Sequence, residues 1–137
     1  MNDLEARVQR LEDIESLKRL LYKYCYSIDE GDVDGVMSIF TDDAQGDYSP
    51  LGTQKGKSEL RKFYAETVPS VVSFCVHMVH NADIRINGDT AEGLFYYEAP
   101  CNSVPMQKAV LIQGKYDLRY KKVNGEWKVS GMHCIFK

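Results

Sequence analysis

The chain has 137 residues, 44% of them apolar and 27% charged, with a formal net charge of -3. That suffices for one core and excludes a disordered tail protein, and the acidic balance argues against a nucleic-acid binder. No run approaches the ~18 to 20 apolar residues of a membrane span. Met1-Asn2-Asp3-Leu4-Glu5 lacks the basic start and apolar stretch of a secretory signal, so the expected compartment is the cytoplasm.

The first thirty residues predict one long helix or two in sequence. Leu4, Val8, Leu11, Ile14, Leu17, Leu21, Tyr24, Cys25 and Ile28 recur at threes and fours, with Glu, Arg and Lys between them. Asn2 or Asp3 suits the start and Gly31 the left-handed stop. Asp32 then caps a short helix over Val33–Phe40, ended by Asp42-Asp43. A short strand over Ala44–Ser49 and a turn through Pro50, Gly52 and Gly56 lead to a third helix over Ser58–Val68, stopped by Pro69.

Beyond Pro69 the apolar period changes from about 3.6 to 2. Four strands follow: Val72–Ile86, Thr90–Ala99, Lys108–Lys121 and Glu126–Phe136. Asn87-Gly88-Asp89 and Asn124-Gly125 are hairpin turns, and Pro100–Gln107 is a loop with two prolines. No repeat or linker divides the chain, so one domain over 1–137 is expected. Helices first and long antiparallel strands after make an α+β fold, and strands this long curl. Helices laid across the concave side of a cone-shaped sheet would enclose a pocket.

The four cysteines, Cys25, Cys75, Cys101 and Cys134, are scattered, with no Cys-x-x-Cys and no Cys/His cluster. They predict small apolar filler and neither a zinc site nor a disulfide framework.

Asp29 lies four residues after Cys25 and eight after Leu21, on the apolar stripe of the first helix, where a carboxylate is partly desolvated. Its bland alternative is a cap for the turn at Gly31. Tyr24 lies on the same side, and a buried phenol needs a partner. His77 and His80 form His-x-x-His within a strand, where residues three apart point to opposite faces. That spacing argues for one histidine in the pocket, as acid or base, and against a metal pair. His133 has no companion. Tyr48 ends the short strand near the pocket.

Glu30-Gly31-Asp32-Val33-Asp34-Gly35-Val36, then Ile39-Phe40-Thr41-Asp42-Asp43-Ala44, and later Asn124-Gly125-Glu126-Trp127-Lys128-Val129, resemble the nuclear transport factor 2-like superfamily over nearly the whole chain. The nearest branch is the SnoaL-like cyclases, dehydratases and isomerases. The resemblance implies a cystatin-like cone fold. It sets Tyr24 where ketosteroid isomerase and bile-acid 7α-dehydratase carry an active-site tyrosine, and Asp29 where the bile-acid and scytalone dehydratases carry an aspartate. His77 matches the histidine both dehydratases use, His80 a second histidine of the bile-acid enzyme, and Asp47-Tyr48 the strand bearing scytalone dehydratase's second tyrosine. That enzyme's further histidine falls near Phe95-Tyr96, where this chain has none, and Tyr96 is taken as a substrate contact.

These readings combine into an expectation. Tyr24, Asp29 and His77 are catalytic, while Tyr48, His80 and Tyr96 contact substrate. The reaction is a cofactor-free dehydration, isomerisation or cyclisation of a small hydrophobic oxygenated ring compound. A non-catalytic ligand-binding or assembly module is the alternative. A homodimer through the outer sheet face is also expected, from Leu111, Tyr116, Leu118, Tyr120, Trp127 and Phe136 in the last strands.

Overall fold

A computed structural model describes residues 2–136. Helix α1 (Asp3–Asp29) is one continuous helix, capped where the Asn2 side chain accepts the Glu5 N–H at 2.8 Å. It ends before Gly31, whose φ of +72° only glycine adopts without strain. Asp32 accepts the Gly35 N–H at 2.9 Å and starts α2 (Val33–Met37), shorter than its pattern predicts because strand pairing already begins at Phe40.

Then come β1 (Phe40–Asp47), β2 (Thr53–Lys55), α3 (Gly56–Lys62), a π-helical turn (Phe63–Thr67) and α4 (Val68–Val71). The sheet is completed by β3 (Val72–Cys75), β4 (Met78–Asn87), β5 (Thr90–Ser103), β6 (Lys108–Val123) and β7 (Glu126–Phe136). The order is β2-β1-β7-β6-β5, and β5 pairs along its far edge with both β4 and β3. The sheet is mixed and not purely antiparallel, because β1 runs parallel to β7. Register shifts within β4/β5, β6/β7 and β1/β7 are bulges that bend it.

Four expectations need correction. The single strand predicted over Val72–Ile86 breaks after Cys75, and His77 sits in the break. The predicted Pro100–Gln107 loop is mostly sheet, since β5 runs to Ser103 and β6 starts at Lys108. Cys75 and Cys101 are direct cross-strand partners with Cα atoms 4.2 Å apart and form a disulfide, while Cys25 and Cys134 are buried free thiols. Strand register made that pair, and spacing along the chain does not show it. Finally, Tyr116, Leu118, Tyr120 and Trp127, expected on the outer face, are buried within the cone. Even positions of β6 face inward, so Leu111 faces outward at 58% exposure, among Gln113, Lys115, Asp117 and Arg119.

The core lies between α1 and the concave face. Leu17, Leu21, Tyr24 and Cys25 are buried there with Phe95, Tyr116, Leu118 and Val129. A latch holds α1 across the far end of the sheet, where Asp13 accepts the Trp127 indole N–H at 3.0 Å with Lys122 Nζ 3.6 Å away. No described helix is long and apolar enough to cross a membrane.

Candidate active site

Two chain features bring the site together. The last residue of α1 is Asp29, and the break between β3 and β4 turns His77 towards it. The His77 main-chain N–H donates to both Asp29 oxygens, at 2.9 and 3.1 Å, and the ring Nδ1 lies 2.6 Å from Oδ1. The two side chains are only 10% and 20% exposed. With Nδ1–H given to the carboxylate, Nε2 is left with its lone pair free to take a proton, and Asp29 is placed to stabilise the imidazolium that results.

A second cluster faces this dyad. Tyr24 of α1, Tyr48 just beyond β1 and Tyr64 of the π turn are all buried. The Tyr64 hydroxyl is hydrogen-bonded to that of Tyr48 at 2.7 Å and to that of Tyr24 at 3.1 Å. The Tyr24 ring meets the His77 ring edge-on at 6.3 Å, and the Tyr97 ring lies parallel to His77 at 6.4 Å. Burial pushes the Tyr24, Tyr48, Tyr64, Tyr97 and Tyr116 phenols well above their ordinary range, so they serve as neutral donors and not as phenolates. Burial likewise lifts the Cys134 thiol, 3.3 Å from the Tyr97 hydroxyl, to about 11.

These groups border a cavity of about 270 Å³ lined mainly by apolar surface, including Ile28, Phe63, Val72, Ile112 and Phe136 with Tyr24, Tyr48 and His77. A second hollow of about 270 Å³, with Asp29, Asp32 and Ser73 among its lining, meets the first along a wall formed by Ile28, Tyr64, Val68, Val72, Cys75 and His77. His77 therefore has the apolar cavity beside its ring and the polar hollow on its carboxylate side. Among the described residues, no group of three or more His, Cys, Asp or Glu could hold a metal ion.

Tyr24, Asp29, His77 and Tyr48 thus converge. His80 and Tyr96 do not join them, both for the same reason. They are cross-strand partners on the convex face, opposite in parity to Val79 and Tyr97, which face inward. His80 Nε2 is 3.2 Å from Glu98, and Lys115 Nζ lies over the Tyr96 ring at 5.3 Å. His133 is also outside, 3.6 Å from Asp47. Sequence reasoning missed Tyr64, read simply as a helix residue. The π turn that aims it is a frequent feature of functional sites, and it leaves no periodic signature.

The family model for the SnoaL-like domain matches residues 9–133. The chain belongs to that family. Curated relatives include uncharacterized proteins of Mycobacterium tuberculosis and Mycobacterium bovis, each 28% identical over 123 residues, covering 89% of this chain and 84% of theirs. Among solved structures, a type 2 hexachlorocyclohexane dehydrochlorinase superimposes with a TM-score of 0.91 at 20% identity, over 96% of this chain and 89% of that one. A protein of Novosphingobium aromaticivorans named as an aromatic ring hydroxylase gives 0.83 at 26% identity, covering 92% and 90%. Another from that organism, named as a scytalone dehydratase, gives 0.84 at 19% identity, covering 93% and 86%. These likenesses, with others in the nuclear transport factor 2-like superfamily, establish the α+β cone fold.

Proposed function

We propose that this SnoaL-like domain is a lyase or isomerase that moves a proton on a small hydrophobic, oxygenated ring compound and uses only its own side chains. The observation that carries the reading is His77, paired with Asp29 behind it, on the wall of an apolar cavity that the neutral phenols of Tyr24, Tyr48 and Tyr64 also line. The solved neighbours named as a dehydrochlorinase and a scytalone dehydratase lend support, since both names describe elimination.

In this reading His77 Nε2 removes a proton α or vinylogous to a ring carbonyl, and Asp29 stabilises the imidazolium. Tyr24 donates to the carbonyl oxygen as it gains enolate charge. Hydroxyl protons rotate freely, so the donors can align as Tyr48 to Tyr64 to Tyr24 to ligand, each bond strengthening the next. The imidazolium then gives its proton to a departing hydroxyl, which leaves as water. Without a leaving group the same parts return the proton elsewhere on the ring and isomerise it. Tyr48 works here through Tyr64 as well as by lining the cavity.

The test needs no knowledge of the natural substrate. Incubated in D2O with a panel of cyclic ketones and β-hydroxy ketones, the wild-type protein is expected to exchange α-hydrogens or eliminate water. His77→Ala should lower the rate by about 10²- to 10⁴-fold. If the cavity binds such ketones and neither exchange nor elimination occurs, the protein is a binding module and the catalytic reading is wrong.

A further inference from the structure

The amino-terminal part of α1 has no packing partner among the described residues. Every described residue from Asn2 to Glu12 is exposed, and the helix reaches its first hold on the body at Asp13 and Leu17. On this projecting stretch Leu4, Val8 and Leu11 are 66%, 44% and 67% exposed. They are spaced as i, i+4 and i+7, so they form one stripe. At 3.6 residues per turn, that stripe lies roughly 120° around the helix from the buried face of Leu17, Leu21, Tyr24 and Cys25. The sequence pattern reads as one continuous apolar face, whereas the structure holds two. The stripe of Leu4, Val8 and Leu11 points away from the body of its own chain.

The edges of the stripe carry opposite charges. Arg7 flanks one side, and Glu5 and Glu12 flank the other. In a parallel, in-register pair of such helices, Leu4 and Leu11 take the d positions and Val8 an a position, which sets Arg7 of each chain against Glu12 of the other, twice by symmetry. An antiparallel pair would set Glu5 near Glu12 and Arg7 near Arg7. Among the described residues, the one ion pair of Arg7 is an exposed contact of 3.9 Å with Asp3. Each body is set about 120° around the helix from the stripe, so in a parallel pair the two bodies lie off the paired faces. The helix is already nucleated by its buried half, so association does not bear the cost that makes short isolated helices marginal.

We infer that residues 3–12 of α1 are a self-association element that docks onto the same segment of a second copy in parallel register. This interface is separate from the convex sheet face, and it does not depend on the catalytic reading. Sedimentation velocity of the full chain at 1 to 200 µM (about the range over which a weak dimer forms) should show a dimer that dissociates on dilution. The paired Leu4→Lys, Leu11→Lys variant should raise the dissociation constant by about 100-fold or more, since it removes the stripe and leaves the core untouched. Arg7→Glu and Glu12→Arg should each weaken the dimer by about tenfold, and the two together should restore it. Leu11→Cys should cross-link into a dimer under mild oxidation, as only parallel register apposes the two copies of position 11. A monomer at every concentration would overturn the inference. So would a dimer indifferent to the stripe variant but dissociated by Leu94→Lys on the convex face.

Discussion

The two faces of the sheet use similar residues to opposite ends. On the concave side, His77 is held by Asp29 at 2.6 Å with its side chain 10% exposed, and aromatic rings lie on two sides of it. Three positions later on the convex side, His80 sits 3.2 Å from Glu98 with 47% of its side chain exposed. Both are histidines beside carboxylates. The difference is water: on the outside, solvent screens the pair and competes for every hydrogen bond, whereas on the inside the carboxylate fixes the ring. Tyr96 and Tyr97 repeat the contrast one strand away, the first under a lysine in solvent and the second stacked on a neighbouring phenol at 4.3 Å.

The largest effect that separates the faces is alkaline. Burial raises the phenols of Tyr24, Tyr48, Tyr64, Tyr97, Tyr116 and Tyr120. It also lifts the thiol of Cys25 to about 12 and that of Cys134 to about 11. These are acids with folded pKa values above their unfolded ones. Below about pH 8.5 both states keep the protons and nothing is lost. Above it the unfolded chain releases protons that the folded chain retains, and stability falls by about 1.4 kcal/mol per pH unit for each group in its titrating window. Tm followed by circular dichroism is expected to hold between pH 7 and 8 and to fall ever more steeply from pH 9 to 11. A Tm flat to pH 11 would mean the inner phenols are not desolvated.

Asp29→Asn comes next. The amide keeps the size of the carboxylate but removes the charge that stabilises the imidazolium, so α-hydrogen exchange should drop by about 10²- to 10³-fold. The variant also loses one acceptor for the His77 main-chain N–H, at a cost of about 1 to 2 kcal/mol. The combination distinguishes a catalytic carboxylate from a merely structural cap, for a cap would lose the stability and leave the exchange rate per folded molecule unchanged.

Much of this arrangement was readable from residue order. The long first helix, the Asn-Gly turns (Asn124 and Gly125 at φ +52° and +80°) and the approach of Asp29 to His77 follow from local pattern and family likeness. The expectation that His77 and His80 part company rests on parity within one strand, whereas the structure separates them by a break: His77 lies between β3 and β4, and only His80 is in the β4/β5 register. What failed was set at longer range. The inward parity of Tyr116, Leu118 and Tyr120 depends on which way β6 meets β5, and an alternating strand does not declare which of its two faces is the inner one. Cys75 finds Cys101 through the same register. Tyr64 is placed by a one-residue π expansion that no hydrophobic period encodes.

A smaller effect probes the phenol chain. Tyr64→Phe removes the central hydroxyl and keeps the ring. Tyr48 and Tyr24 each lose a buried partner, so a stability loss of about 1 to 2 kcal/mol is expected, together with a roughly tenfold fall in kcat at nearly unchanged KM. A rise in KM alone would instead make Tyr64 part of the cavity wall and not a relay to Tyr24.

The smallest effect is the sharpest test of the two-face comparison. His80→Ala and Tyr96→Ala alter exposed residues whose partners, Glu98 and Lys115, are themselves wet, so each should change stability by less than about 0.5 kcal/mol. Neither side chain reaches the cavity, so α-hydrogen exchange should stay within about twofold of wild type, well inside the difference a catalytic base makes. The family likeness that casts His80 as a site residue makes the opposite prediction. If His80→Ala lowered exchange tenfold while thermal unfolding and oligomeric state stayed unchanged, the convex face would have to contribute to a site, and the separation of roles by strand parity would be broken.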